Sequence, residues 1–257
     1  MRFLVVADIH YALKQYDWLL DVAPHYDAVV IAGDLLEISS MVDLRAQIVV
    51  LRTYLRRIAE KTRVIVCSGN HDLDAEQEHG ERVADWMLNL SGLGVVSDGE
   101  SFTASGVRFS SFPWWDGTET RKQVQSQLEA DAALAHDHWV WVYHAPPADK
   151  RVSWGGQRHY GDPDLVAWID RYQPDLVLSG HVHQSPFIPD GSWVDRIGKT
   201  WVFNTGQQPG ERPSVIVFDL ELDEAVWLSM VGGQKLALGD PAAQPAALTA
   251  LPEWITI

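Results

Sequence analysis

The stretch DLVLSGHVHQSP, residues 175–186, carries a short apolar run into a Ser-Gly turn and then sets two imidazoles, His181 and His183, with one residue between them. A buried strand that ends in two protonatable rings suffers a desolvation cost unless a partner holds them. The pattern recurs along the chain. FLVVADIH (3–10) ends in Asp8 and His10, and VIAGDLLE (30–37) carries Asp34. RVIVCSGNHD (63–72) ends in Asn70, His71 and Asp72, and HWVWVYHAPP (138–147) reaches His144. Ligands of open α/β sheets gather beyond the carboxyl ends of the strands. Five apolar runs therefore deliver only oxygen and imidazole donors to one sheet edge.

Between these runs lie amphipathic segments, expected as helices over 13–22, 41–60, 119–135 and 164–172. Alternation of strands and helices argues for a partly parallel sheet with covering helices. SFTASGVRFSSFP (101–113) reads as a hairpin turning at Ser-Gly. The later runs TWVFNTG, SVIVFDLEL and AVWLSMV are expected to be antiparallel and to build a second sheet on the first. Trp139, Trp141 and Trp201 sit in alternating apolar runs and are assigned to the core. The expected division is one domain over 1–231 and an Ala, Pro and Gly-rich extended tail over 232–257, its end docked by Trp254 and Ile255.

A chain of 257 residues, 46% of them hydrophobic, can bury one large α/β core. Its 35 acidic against 20 basic residues give a net charge of −15, which argues against a nucleic-acid partner and leaves a small phosphorylated substrate open. The single cysteine, Cys67, lies inside an apolar run and reads as a buried strand thiol in a reducing compartment. The opening run is broken by Asp8 and reads as a first strand rather than a signal peptide. No stretch has the length of an apolar membrane span. The expected location is the cytoplasm, with no membrane partner and the oligomeric state open.

Each strand-end motif alone has an ordinary account: Asp caps helices, Gly-Asn and Gly-Asp make turns, and a buried histidine is commonly a hydrogen-bonded core residue. Together they supply four imidazoles, two carboxylates and an amide carbonyl, a donor field suited to iron, manganese or zinc. One carboxylate can bridge two ions about 3.5–4 Å apart, and Asp34 is the candidate bridge. The ordered blocks Asp-x-His, Gly-Asp, Gly-Asn-His-Asp, a lone His and Gly-His-x-His, spanning 8–183, resemble the calcineurin-like metallophosphoesterase family. The resemblance implies an α/β fold of four layers, an αββα sandwich of two packed mixed sheets with outer helices in a single domain. It also implies two divalent ions (Mn, Fe or Zn).

Carried over by position, the resemblance makes Asp8, His10 and His183 ligands of one ion and Asn70, His144 and His181 ligands of the other, with Asp34 shared. His71 then contacts the phosphate and assists the leaving group, and Asp72 orients the His71 ring. The implied reaction is hydrolysis of a small phosphoester, phosphodiester or nucleotide by water bound at the dinuclear centre. A competing reading is a metal-bearing protein-interaction module with little or no catalysis. His71 separates the two, because hydrolysis needs it and metal binding does not. Substrate choice is assigned to two irregular loops. The first, 111–123, holds Trp114, Trp115, Asp116, Arg121 and Lys122. The second, after His144, holds Lys150, Arg151, Trp154, Arg158, His159 and Tyr160. Trp154, beside two glycines, and Arg158 are the candidate substrate contacts.

Overall fold

The computed structural model describes residues 1–134 and 136–257. In chain order the first half runs β1 (Arg2–Val6), α1 (Leu13–Val22), β2 (Ala28–Ala32), α2 (Leu44–Ala59) and β3 (Arg63–Cys67). It continues with β4 (Ala75–Glu76), β5 (Arg82–Val83), β6 (Val95–Val96), β7 (Ser101–Ala104), β8 (Val107–Ser111) and α3 (Thr118–Ala132). The second half runs β9 (His138–Val142), α4 (Pro163–Tyr172), β10 (Leu176–Ser179), β11 (Val194–Ile197) and β12 (Thr200–Asn204). It closes with β13 (Val215–Asp219), β14 (Glu224–Ser229), β15 (Gly232–Ala237) and β16 (Ala246–Ala247).

Two large sheets result. One has eight strands in the order β16-β15-β14-β13-β1-β2-β3-β6, the other six in the order β11-β12-β10-β9-β8-β7, and β4 and β5 form a separate pair. In the first sheet β1, β2, β3 and β6 are parallel and β13 joins β1 antiparallel. In the second, β8, β9, β10 and β12 are parallel between two antiparallel edges, β7 and β11. Both sheets are therefore mixed.

Strand alternation divides the apolar residues into three cores. Along β1, Phe3 and Val5 enter the core between the sheets, whereas Leu4 and Val6 enter the core under α1 and α2. Along β9, Val140 and Val142 face between the sheets, and Trp139 and Trp141 face α3 and α4. Three cores separate four layers, so the αββα sandwich is present. Trp139, Trp141 and Trp201 are all buried, as their alternation predicts.

The helices follow from local chemistry. α2 starts where the Asp43 carboxylate accepts the Arg45 N–H, and it buries Gln47, Leu51, Leu55 and Ile58 on one stripe. Each of its three buried aliphatic side chains contributes about 1.5–3 kcal/mol. α4 starts with Pro163 after Asp162, whose carboxylate accepts two backbone N–H groups. The hairpin β7–β8 turns through Ser105 and Gly106, with φ of 51° and 77°, the double left-handed geometry of a tight hairpin.

The later strands depart from expectation. β12 joins the second sheet in parallel to β10, but β13 and β14 return to the first sheet beside β1. Their alternate residues fill two cores at once: Ile216 and Phe218 point between the sheets, and Val215 and Val217 point to the helix layer. The segment after Val231 is not an extended tail, because β15 pairs with β14 over six residues and β16 pairs with β15. Leu236 is buried between the sheets, and Ile255 and Trp254 dock in the helix-layer core. The helix expected over 119–135 ends at Ala132, and Ala135 lies outside the described residues.

Candidate metal centre

The parallel strands β1, β2, β3, β9 and β10 end within two or three residues of Asp8, Asp34, Asn70, His144 and His181. The loops that follow are bound to one another: the Asp8 N–H donates to Gly33 O (3.1 Å), the His10 N–H to Asp34 O (3.0 Å) and the Gly180 N–H to His144 O (2.9 Å). Asp8, His10, Asp34 and His181 all adopt left-handed backbone, with φ of 55°, 47°, 53° and 66°. Such residues persist only where the surroundings over-determine them, and they concentrate at functional sites. The glycines that precede the donors exist for space. A Cβ on Gly33, itself at φ 86°, would lie 2.4 Å from His144 Nδ1. One on Gly69 would lie 2.1 Å from Asp34 Oδ1, and one on Gly180 2.4 Å from Asp8 Oδ2.

Four side chains converge as a compact set: Asp8, His10, Asp34 and His183 each offer an atom within 4.8 Å of the others. His183 Nε2 lies 3.2 Å from Asp8 Oδ1 and 3.1 Å from His10 Nε2, and His10 Nε2 lies 3.7 Å from Asp34 Oδ2. On the other side of Asp34, His144 Nε2 stands 3.1 Å from Asp34 Oδ2 and 3.8 Å from Asp8 Oδ1. His181 Nδ1 lies 3.0 Å from Asn70 Oδ1, and its ring is 5.2 Å from that of His144. The structure thus brings all seven expected donors together, with Asp34 between the two groups.

The donors fit a divalent metal on their own terms. His144 Nε2 is buried and makes no hydrogen bond, while its Nδ1 is engaged with Ala32 O at 2.8 Å. That leaves Nε2 aimed into the cluster, the arrangement a ligating imidazole requires. Desolvation, aided by the charge of His144, pushes His181 down to about 4, and desolvation also lowers His10. Both therefore carry free lone pairs near neutrality. Burial would lower His144, but the adjacent Asp34 carboxylate overrides it and raises the ring to about 9. Burial would likewise raise Asp34, and His144 holds it below the usual carboxylate range. The pair thus marks a position where positive charge is favoured beside Asp34.

His71 sits beside this cluster, its ring 4.6 Å from that of His10. The carboxylate that faces it is not Asp72. Asp72 is fully buried, and its oxygens accept N–H groups of Leu35, Leu36 and Gly69 at 2.8–3.2 Å. Its side chain braces the loops that carry Asp34 and Asn70, so the ring-orienting role expected of it is corrected. Desolvation and the nearby Asp34 push the Asp72 carboxyl up to about 8, against the backbone donors. Glu37 is the carboxylate that faces His71: its Oε1 lies 3.5 Å from His71 Nδ1 and its Oε2 3.5 Å from His10 Nδ1, and neither ring nitrogen makes a hydrogen bond. Burial would raise Glu37, but the Ser39 N–H and hydroxyl, with His10 and His71, hold it below the usual range. The sequence signal for Glu37 was its place three residues after Asp34 on the same loop.

Neither expected substrate contact lines the cavity that holds His181, though Arg158 stands over a residue that does. Trp154 lines a cavity with Lys150, Arg151, His159 and three aspartates that contains none of the seven donors. Arg158 is exposed, its guanidinium 4.5 Å above the Tyr160 ring. Trp114 and Tyr160 instead line the cavity that His181 opens into.

Fold and donor set together define a calcineurin-like phosphoesterase. The model of that family matches residues 1–185, and the chain belongs to the family, whose members are metal-binding hydrolases of phosphoesters. Among particular proteins, the chain is similar to the UPF0046 protein K07C11.7 of Caenorhabditis elegans, with 26% identity over 84% of this chain and 74% of that one. Its fold matches the TT1561 protein of Thermus thermophilus with a TM-score of 0.55 and 13% identity, covering 96% of this chain and 98% of that one. It also matches the purple acid phosphatase PPD1 of yellow lupin (Lupinus luteus) seeds with a TM-score of 0.54 and 14% identity, covering 95% of this chain and 52% of that one. Among the described residues, no helix is long and apolar enough to cross a membrane.

Proposed function

We propose that this chain hydrolyses a small phosphoester, phosphodiester or nucleotide at a centre of two divalent ions, manganese, iron or zinc. Asp8, His10 and His183 would hold one ion and Asn70, His144 and His181 the other, with Asp34 shared. The observation that supports this most directly is His144 Nε2, buried and 3.1 Å from Asp34 Oδ2, with Nδ1 already engaged by Ala32 O. When bound, the ions supply Lewis acidity toward the phosphoryl oxygens and lower the pKa of water.

The remaining work falls to the chain. Asp72 holds the Asp34 and Asn70 loops in register through its backbone hydrogen bonds. Glu37 faces Nδ1 of both His10 and His71 and orients the two rings together. His71 donates to the leaving oxygen, a step that general acids of this type accelerate about 10²–10⁴-fold. The buried, unpaired Cys67 supports a reducing, cytoplasmic setting.

The test is hydrolysis of bis-p-nitrophenyl phosphate against p-nitrophenyl phosphate by manganese-loaded protein, with a chelator-treated control. Turnover that chelation abolishes is the expected result, and the preferred ester assigns diesterase or monoesterase. Loaded protein that is silent on both esters and on a panel of nucleotides would sink the reading in favour of an interaction module.

A further inference from the structure

The donor cluster opens on one side into a cavity of about 340 Å³, walled by His181, Trp114, Trp115, Tyr160, Asp162 and Asp164. The hydrolysis proposed above uses none of its aromatic surface. The Trp114 ring lies 5.3 Å from that of His181 and 5.8 Å from that of His144. Its backbone N–H donates to Ser68 Oγ at 2.9 Å, just after β3, which ties the Trp114 main chain to the loop that carries Asn70. Trp115 differs in kind. It stacks on Tyr143 at 3.8 Å with planes 1° apart and abuts Trp168 edge-on, so its ring belongs to the packing.

Tyr160 forms the rim. It is 43% exposed, yet it is held in place: a Cβ on Gly155 would come within 2.5 Å of its ring, and Arg158 stacks on it. Tyr160, packed by Gly155 and topped by Arg158, borders the cavity as an apolar rim, and Trp114 supplies the aromatic surface beside the donors. The charge of the cavity narrows its occupant. No lysine or arginine is among the lining residues, and both titratable carboxyl groups are spent. Asp164 pairs with Arg121 at 2.5 Å. Asp162 accepts two N–H groups at the start of α4, at 2.8 and 3.2 Å, and the Tyr143 hydroxyl at 3.3 Å. The two lining carboxylates disfavour a second phosphate inside the cavity, while the exposed Arg158 guanidinium, 4.5 Å above the Tyr160 ring, stands at its rim.

We propose that this cavity is the subsite for the organic arm of the phosphoester and that it selects a planar aromatic group. The inference rests on the phosphoesterase reading of the adjoining donors. A nucleobase and a simple aryl ring share this chemistry, and stacking of a base on an aromatic side chain is worth about 5- to 150-fold in affinity.

Calorimetric titration with adenosine monophosphate, phenyl phosphate and ribose phosphate tests it, on metal-free and on manganese-loaded protein. At least one aromatic ester is expected to bind about tenfold or more tightly than ribose phosphate. Trp114→Ala should bring that ratio close to one and leave the affinity for ribose phosphate unchanged. Tyr160→Ala, at an exposed position, should reduce the ratio and remains a test should Trp114→Ala fail to fold. Preference for adenosine monophosphate assigns a nucleoside arm, and preference for phenyl phosphate an aryl arm. Equal affinity for all three, or a ratio that neither variant changes, overturns the subsite while chelator-sensitive hydrolysis stands. Failure to bind any of the three overturns the phosphoester reading as well.

Discussion

Left-handed backbone at Asp8, His10, Asp34 and His181 stores strain of order 1–3 kcal/mol per residue, least for the two aspartates. The hydrogen bonds that tie these loops together offset it, so the cluster is held before any ligand arrives. The His71 backbone N–H is tied into these loops through Asp34 Oδ1 at 2.9 Å, but the His71 and Glu37 side chains are not among the seven candidate donors, which makes their contribution separable. His71→Ala is expected to leave metal content by elemental analysis unchanged and to lower kcat/KM by about 10²–10⁴-fold. Glu37→Gln should lower it less, and the double variant should fall between His71→Ala and the full product of the two losses, because Glu37 faces both the His71 and the His10 ring. A double variant showing the full product of the two losses would separate Glu37 from His71. The convergence of the seven candidate donors was legible in the sequence, since all follow five apolar runs that end at one sheet edge. The neighbour of His71 was not. Adjacency suggested Asp72, but in a tight turn successive side chains diverge, and Asp72 turns beneath the loop to reach the N–H groups of Leu35 and Leu36. Glu37, from the loop after β2, occupies the place instead.

At the scale of elements, α3 is fastened to the β7–β8 hairpin by one charged network. Asp131, nearly buried, pairs with Arg108 and accepts the hydroxyls of Ser101 and Ser110, the latter at 2.6 Å. Asp131→Ala leaves the Arg108 charge without its partner in a site that is about one-tenth exposed, and is expected to lose about 3–5 kcal/mol in denaturant unfolding. Asp98, after β6, accepts the Ser68 N–H at 2.7 Å and ties the end of β3 to the next loop. Desolvation pushes its carboxyl up to about 6. The folded chain therefore holds a proton there that the unfolded chain has released. Stability is fully present below about pH 4 and is lost as pH rises to about 6. Asp98→Asn should unfold like the parent near pH 4 and be roughly 3 kcal/mol more stable at pH 7, where the desolvated charge is absent. Helix and strand positions were legible from period and caps. Sheet membership was not: the apolar pattern of SVIVFD shows a strand buried on both faces, and that pattern does not distinguish a neighbour at β12 from one at β1.

For the whole molecule, the last 26 residues are part of the sandwich. Leu236 and Ile255 are buried, and the polar contacts that reach into the segment include Trp193 Nε1–H donating to Gln234 Oε1 (2.7 Å), Trp201 Nε1–H to Leu238 O (3.0 Å) and the Tyr26 hydroxyl to Thr256 O (2.9 Å). The two side chains alone contribute about 3–6 kcal/mol, a large share of the 5–15 kcal/mol typical of a domain. A chain ending at Val231 is expected to melt about 10 °C lower or to aggregate, since β14 becomes a bare edge. Composition made the segment look like a tail because Gly, Ala and Pro carry little pattern, yet an edge strand needs only backbone pairing on one side. The placement of β13 beside β1 has a consequence for synthesis. Arg2 Nε donates to Asp219 Oδ2 across 217 residues of chain, so β1 emerges from the ribosome long before its second neighbour exists. At about 5–20 residues per second the interval is roughly 10–40 s. Throughout it the nascent chain presents one open edge of its central sheet, and a chaperone that binds extended apolar segments would have its substrate there.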